Sequence, residues 1–178
     1  MKLVNSISVR SNTMDFRNEL LDWYKASKMD YPKFYKMNGL CQLGSLAVHA
    51  LVADHLEELA MTSPDRVATI FFNYTSSLDA DFEHQGLISS QVGLPSPAIF
   101  VYTLPNILNG ELSIRYGWSG FSAFYLKKDI VSDQIEQSAK HLFSRQGADW
   151  LITGKIDIFE PWKIYEADLF LYRDESNF

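Results

Sequence analysis

The run Val67-Ala68-Thr69-Ile70-Phe71-Phe72 constrains this chain more than any other stretch. It carries no charge and has no polar side to offer water, so a strand formed here must be covered on both faces. Pro64 before it and the polar Asn73-Tyr74-Thr75-Ser76-Ser77 after it hold the run to strand length. The covering layers have to be helices, and two segments supply the pattern. Between Gly39 and Met61, the residues Leu40, Leu43, Ala47, Ala50, Leu51 and Leu59 fall near one stripe at helical spacing. Asp129 or Ser132 can cap a second helix running through Arg145, with Val131, Ile135, Ala139, Leu142 and Phe143 on its inner side and Gly147 just past its end.

Further strands are expected at Leu3 to Val9, at Ser122 to Lys127, at Trp150 to Ile158 and at Ile164 to Tyr172. In the first, Leu3, Asn5, Ile7 and Val9 share one side; the last two are separated by Glu160-Pro161-Trp162. Asn12 to Tyr35 is aromatic and charged, and Pro32 bars a regular helix through the whole of it, so it reads as irregular. Ser76 to Gly93 reads as turn with a short helix, and Leu108 to Ile114, beyond Pro105, as helical or bent. Strands alternating with amphipathic helices, then two strands in succession, define a layered α/β domain.

Composition sets the outer limits. A chain of 178 residues suits one domain, residues 1–178, and 47% hydrophobic with 14% aromatic residues is ample for a core. A formal charge of −6 without basic clusters argues against a nucleic-acid partner. The N-terminus lacks the apolar stretch of a signal peptide, and no apolar run approaches the ~18–20 residues that cross a bilayer. The expectation is a cytoplasmic protein with no membrane partner.

The side chains that could carry chemistry are few. Cys41, the single cysteine, permits no intrachain disulfide and sits inside the first long helix, where a buried structural role is expected. His49, His55, His84 and His141 show no ligand spacing, and the first two lie six residues apart, on different sides of a helix. Asp79, Asp81 and Glu83 alternate in a polar loop but lack the glycine and distal glutamate of a calcium loop. No G-x-S-x-G, G-x-G-x-x-G or Walker A pattern occurs, so neither a cofactor nor a metal is expected.

Three blocks in order carry a family resemblance. Pro97 to Gly120 contains the Pro105-Asn106 pair, Gly110, Ile114 and a Tyr-Gly-x-x-Gly ending at Tyr116, Gly117 and Gly120. Gly147 to Gly154 reads G-A-D-W-L-I-T-G, and Tyr35 to Gly44 reads Y-K-M-N-G-L-C-Q-L-G. These resemble, respectively, the approach to the nucleophile strand, the strand after the nucleophile helix, and the first helix of β-ketoacyl-ACP synthases, condensing enzymes of the thiolase type. Asn38 stands where the family has an Asp. The resemblance implies a half-thiolase domain, the ketosynthase N-terminal half, with a mixed five-stranded sheet and helices on both faces.

It also implies what is missing. The family's nucleophilic cysteine sits among small residues at the turn from a strand into a buried helix. Ungapped counting puts Asp129 there, inside L-K-K-D-I-V-S. A carboxylate is a poor acyl acceptor, and at a helix start it serves as an N-cap, where the positive end of the helix lowers its pKa and weakens it as a base. The family's two catalytic histidines come from a second half of the fold. The implied function is therefore a non-catalytic accessory of fatty-acid, polyketide or aryl-polyene biosynthesis. It would pair with itself or with a full-length ketosynthase, with an acyl carrier protein as a possible partner. The alternatives are half of a split 3-oxoacyl-ACP synthase completed by another chain, and an acyl or acyl-carrier binding module built on Ile99 to Leu108. In the resembled fold the nucleophile strand pairs with its mate in another subunit, which assigns an interface to Phe121, Ser122, Phe124 and Leu126, with Trp118 just before them.

Overall fold

A computed structural model describes residues 1–13, 15–89, 97–128 and 132–175. In chain order the elements are β1 (Lys2–Arg10), α1 (Phe16–Ala26), α2 (Gly39–Val52), α3 (Leu56–Met61), β2 (Val67–Asn73), α4 (Leu78–Ser89), α5 (Pro97–Val101), α6 (Ile107–Tyr116), β3 (Ser122–Leu126), α7 (Ser132–Gln146), β4 (Trp150–Phe159) and β5 (Ile164–Arg173). The strands form one mixed sheet in the order β1-β5-β4-β2-β3. β2 runs parallel to both β3 and β4, while β5 is antiparallel to β4 and β1.

β2 is buried along its whole length, as an uncharged central strand must be. Val67 and Phe71 point into the larger of two cores, Ala68, Ile70 and Phe72 into the smaller. α2 lies across the larger core and is apolar on nearly every side; Leu43, Leu46, Ala47, Val48 and Leu51 are fully enclosed. Gly44 lets α6 come close, since a Cβ there would stand 2.7 Å from the Leu108 side chain. The smaller core is covered by α7 through Ile135, Ala139, Leu142 and Phe143. Of the residues expected on that inner stripe, Val131 lies outside the described residues.

The glycines of the resemblance have physical reasons. Gly117 ends α6 at φ 75°, where its N–H binds the Ser113 carbonyl; a side chain would be strained there. Gly120 crosses the start of β2 so closely that a Cβ would meet the Val67 carbonyl oxygen at 2.5 Å. Together they turn the chain from α6 into β3.

Several expectations need correction. Asn12 to Tyr35 is not irregular: Phe16, Leu20 and Tyr24, spaced by four, form the buried stripe of α1, and Pro32 opens a separate 3₁₀ turn. Gly39 to Met61 is two helices, split by a 3₁₀ turn at Ala53–His55. Leu3 does not face the core with Ile7 and Val9. A register shift between Leu3 and Asn5 turns it outward and places Val4 against the core instead. Asp79, Asp81 and Glu83 stand on α4 rather than in a loop; Asp79 pairs with Arg17 at 3.3 Å and accepts the Glu160 N–H. Trp118, assigned to an exposed surface, is buried and stacks on Tyr116 at 4.3 Å.

Candidate functional site

Among the described residues, β3 is the outermost strand of the sheet and pairs only with β2. Phe121 O accepts from Thr69 N, and Lys127 N donates to Asn73 O. Because N–H and C=O alternate sides along a strand, Phe121, Ala123, Tyr125 and Lys127 direct their backbone groups at β2, and Ser122, Phe124 and Leu126 direct theirs away from the sheet. The side chains are not hidden either: Phe121, Tyr125 and Leu126 are 39%, 47% and 58% exposed. Phe124 differs, since its ring is half-buried against the larger core. A groove of about 410 Å³ runs between β3 and α7, lined by Ile70, Phe121, Tyr125, Gln137, His141 and Leu142. An uncovered strand edge bearing aromatic side chains is a template for another strand.

The resemblance assigns the nucleophile position to Asp129, three residues past the end of β3. Asp129 itself lies outside the described residues, so its capping role remains an expectation. The neighbouring turn is described. Asn73 and Ser76 exchange hydrogen bonds, Asn73 Nδ2 to Ser76 O at 2.7 Å and Ser76 N to Asn73 Oδ1 at 3.0 Å. These hold Ser76 at φ 58°, unusual for a residue with a side chain. The buried carboxylate of Asp157 accepts from Tyr74 N and Thr75 N and so anchors the same turn. Lys128 Nζ stands 5.8 Å from the Tyr74 ring, and Tyr74 stacks with Trp162.

A second polar cluster was not anticipated. Glu111, on α6, is only 2% exposed, and its carboxylate receives Lys33 Nζ at 2.8 Å, the Tyr102 hydroxyl at 3.0 Å and the Tyr31 hydroxyl at 3.3 Å. The hydrogen bond to Glu111 raises the Lys33 pKa. Burial, then the charge of Glu111, pushes the Tyr102 and Tyr31 hydroxyls above their ordinary value. The carboxylate thus ties two loops to α6. The sequence held one clue: Glu111 occupies a position of the stripe between Leu108 and Leu112, where a charge has to find partners.

The remaining candidates are structural. Cys41 is fully buried, and desolvation pushes its thiol well above the usual range, which suppresses the thiolate. Its backbone N–H is capped by Asn38 Oδ1 at 3.0 Å, so Asn38 performs the start of α2 that an Asp would perform. His49 has its pKa lowered by burial and by Arg115. Among the described residues, no three His, Cys, Asp or Glu side chains gather as a metal would require, and no helix is long and apolar enough to cross a membrane.

No family model and no curated protein matches the sequence. Solved structures do match the fold. A chain of the complex of ketosynthase (ApeO) with its chain length factor (ApeC) from Xenorhabdus doucetiae aligns with 97% of this chain and 78% of its own length, at 12% identity and a TM-score of 0.69. A chain of AntDE:AntF, a type II polyketide synthase acyl-carrier protein in complex with its ketosynthase bound to the hexaketide, aligns with 97% of this chain at 14% identity and a TM-score of 0.65. The ishigamide ketosynthase/chain length factor aligns with 79% at 18% identity and a TM-score of 0.61. This chain spans 63% and 44% of the last two. The mixed five-stranded sheet with helices on both faces is therefore a ketosynthase-like fold of the thiolase type.

Proposed function

We propose that this chain is a non-catalytic ketosynthase-like subunit that works by pairing, as an accessory of fatty-acid, polyketide or aryl-polyene assembly. The observation that carries the reading is the open edge of β3, with Phe121, Tyr125 and Leu126 exposed on the strand that the resembled fold uses to join subunits. The chemistry around it agrees: Asp129 takes the nucleophile position by counting, and the one thiol is buried elsewhere.

The split-synthase alternative fares worse on a specific ground. The resembled fold buries the helix after the nucleophile between its two halves. Here α7 turns Glu136, Lys140, Ser144 and Arg145 to solvent, with Glu136 and Lys140 paired at 3.6 Å. Beside it the bare part of the sheet carries Arg10, Lys155, Glu166 and Asp168 in cross-strand ion pairs. Covering that surface with a second half would strip water from these charges, at a cost of several kcal/mol per ion unless each gained new partners. The surface is finished for water. The test is intact-mass spectrometry after incubation with acyl-carrier thioesters: no adduct is expected, and a stoichiometric acyl gain on Asp129 or Cys41 would refute the non-catalytic reading.

A further inference from the structure

Apart from the reading of β3, we infer that His49, Arg115 and Tyr116 form a binding site for a small oxyanion, a phosphate or a carboxylate, where α2 packs against α6. Among the described residues, Arg10, Arg17, Arg66 and Arg173 each hold a carboxylate, and Arg145 is exposed. Arg115 is half-buried and holds none. Its guanidinium carbon lies over two aromatic rings, 5.1 Å from the centre of Tyr31 and 5.0 Å from that of Tyr116. The ring faces favour the cation, but Nε and Nη1 remain buried without a hydrogen-bond acceptor. The Tyr116 hydroxyl and His49 Nδ1 are likewise buried and unpartnered. Both lie within electrostatic reach of the guanidinium: burial lowers the His49 pKa and raises that of Tyr116, and the charge of Arg115 bears on each. Four orphan polar atoms on three such residues call for a common partner, since buried polar groups in a native protein are hydrogen-bonded.

The partner has to be negative. One turn back on α6, the Glu111 carboxylate is already taken by Lys33, Tyr31 and Tyr102, so Lys33 and Arg115 share a single carboxylate and one positive charge is left over. Water satisfies a neutral donor, but it does not neutralise a cation drawn out of bulk solvent. A cationic ligand would add to the excess, and a neutral one would leave it unchanged. An oxyanion brings charge and lone pairs together, accepting from the Arg115 N–H groups and from the Tyr116 hydroxyl. His49 completes the set by taking up a proton, because an imidazolium donates through both nitrogens and the orphan Nδ1 becomes a donor. The groups that act on His49 allow this. Burial and Arg115, from α6, lower its pKa, while the Ser27 carbonyl at the end of α1 raises it. An anion on Arg115 cancels the effect of that charge. The three residues are each half-buried, so the orphan atoms lie shallow enough for a small group to reach after a side-chain shift.

Sodium phosphate and sodium acetate, each set against sodium chloride at equal ionic strength, are the probes, and the pH titration of the imidazole C–H signals by NMR is the readout. The His49 signal is identified by its loss in His49→Gln. An oxyanion should raise the His49 pKa by about one unit above its value in chloride, and Arg115→Gln should abolish the rise. A rise with phosphate alone, with acetate alone or with both names the class of oxyanion, and each upholds the inference. No rise beyond chloride, or a rise that persists in folded Arg115→Gln, would overturn it and leave the three residues to water. If Arg115→Gln does not fold, Tyr116→Phe decides. The hydroxyl has no partner within the protein, so its loss should leave the urea midpoint unchanged or raise it, yet weaken oxyanion binding roughly tenfold. Unchanged affinity in Tyr116→Phe would overturn the inference as well. None of these outcomes bears on pairing at β3.

Discussion

The two faces of the sheet are buried by different means. On one, α1, α2 and α6 close a core of buried side chains that runs from Leu20 and Phe34 through Leu46 to Leu108 and Leu171. On the other, α7 is the one helix among the described residues that covers Ala68, Ile70, Phe72 and Leu151, and beside it stand the charges of Arg10, Lys155, Glu166 and Asp168. The first face resembles the interior of a larger protein; the second is a surface that has one helix laid on it. The contrast teaches where stability resides and where partners can be accepted. The closed face holds the sheet rigid, and the free β3 edge adjoins the thinner one.

The largest effect that sharpens this contrast comes from truncating the closed core. Leu46→Ala leaves a hole among enclosed neighbours on a helix buried nearly all round, and should cost about 3–5 kcal/mol. Leu142→Ala, under α7, removes the same atoms from a site that borders the solvent-open groove and can relax, so it should cost nearer 2 kcal/mol. Urea unfolding of both variants checks the order. Equal losses would mean that the thin face is packed as tightly as the closed one.

Next in size is the carboxylate inside the closed side. Glu111→Gln keeps the shape but removes the charge that holds Lys33, Tyr102 and Tyr31, and should cost about 1–3 kcal/mol, toward the low end because Lys33 is 40% exposed. The same cluster sets an alkaline limit. Lys33, Tyr31 and Tyr102 all have raised pKa values when folded, so the folded chain keeps protons that the unfolded chain releases at about pH 10–10.5. That stabilisation is complete below this range, begins to fall as pH enters it, and is lost as pH rises on through the raised values of the folded chain. His49 works in the opposite sense. Its pKa is lowered, so its contribution is present above about pH 6.5 and falls away as pH drops below that value. Melting temperature against pH should therefore decline at both ends, and Glu111→Gln should soften the alkaline decline while leaving the acid one unchanged.

Much of this was legible in the sequence, and the exceptions share a cause. β2, α2, β4 and β5 announced themselves through runs or stripes in which burial and pattern agree. α1 was hidden because its stripe of Phe16, Leu20 and Tyr24 is interleaved with Arg17, Glu19, Asp22 and Lys25, and Pro32 drew attention although it lies past the helix end. Leu3 was misplaced because a bulge is invisible to strict alternation. The resemblance puts Trp118 beside the interface strand and so at the surface, whereas its burial depends on the turn that Gly117 and Gly120 make. The Glu111 cluster joins residues from position 31 to position 111, and no local window contains it. The edge of β3 was readable only through the resemblance, since strand order is a property of the whole sheet.

The smallest effect belongs to the bare part of the thin face. Arg10 lies 3.8 Å from Glu166 and also pairs with Asp168, which accepts from the Ser8 hydroxyl at 2.6 Å. On a structural diagram this network looks strong. Yet the Arg10 side chain is 58% exposed, and water screens ion pairs of this kind to about 0–1 kcal/mol. Burial of the network against a second half would change that arithmetic, because removing one partner would then strand a desolvated charge, at about 3–5 kcal/mol. Arg10→Ala therefore discriminates between a face that meets water and a face that meets a partner. In the purified chain the loss should stay under about 1 kcal/mol and shrink further between 0.05 and 0.5 M salt, as surface charges require. A loss of several kcal/mol, insensitive to salt, would show that the face is covered in solution, and the split-synthase alternative would regain the ground that the exposed charges now deny it.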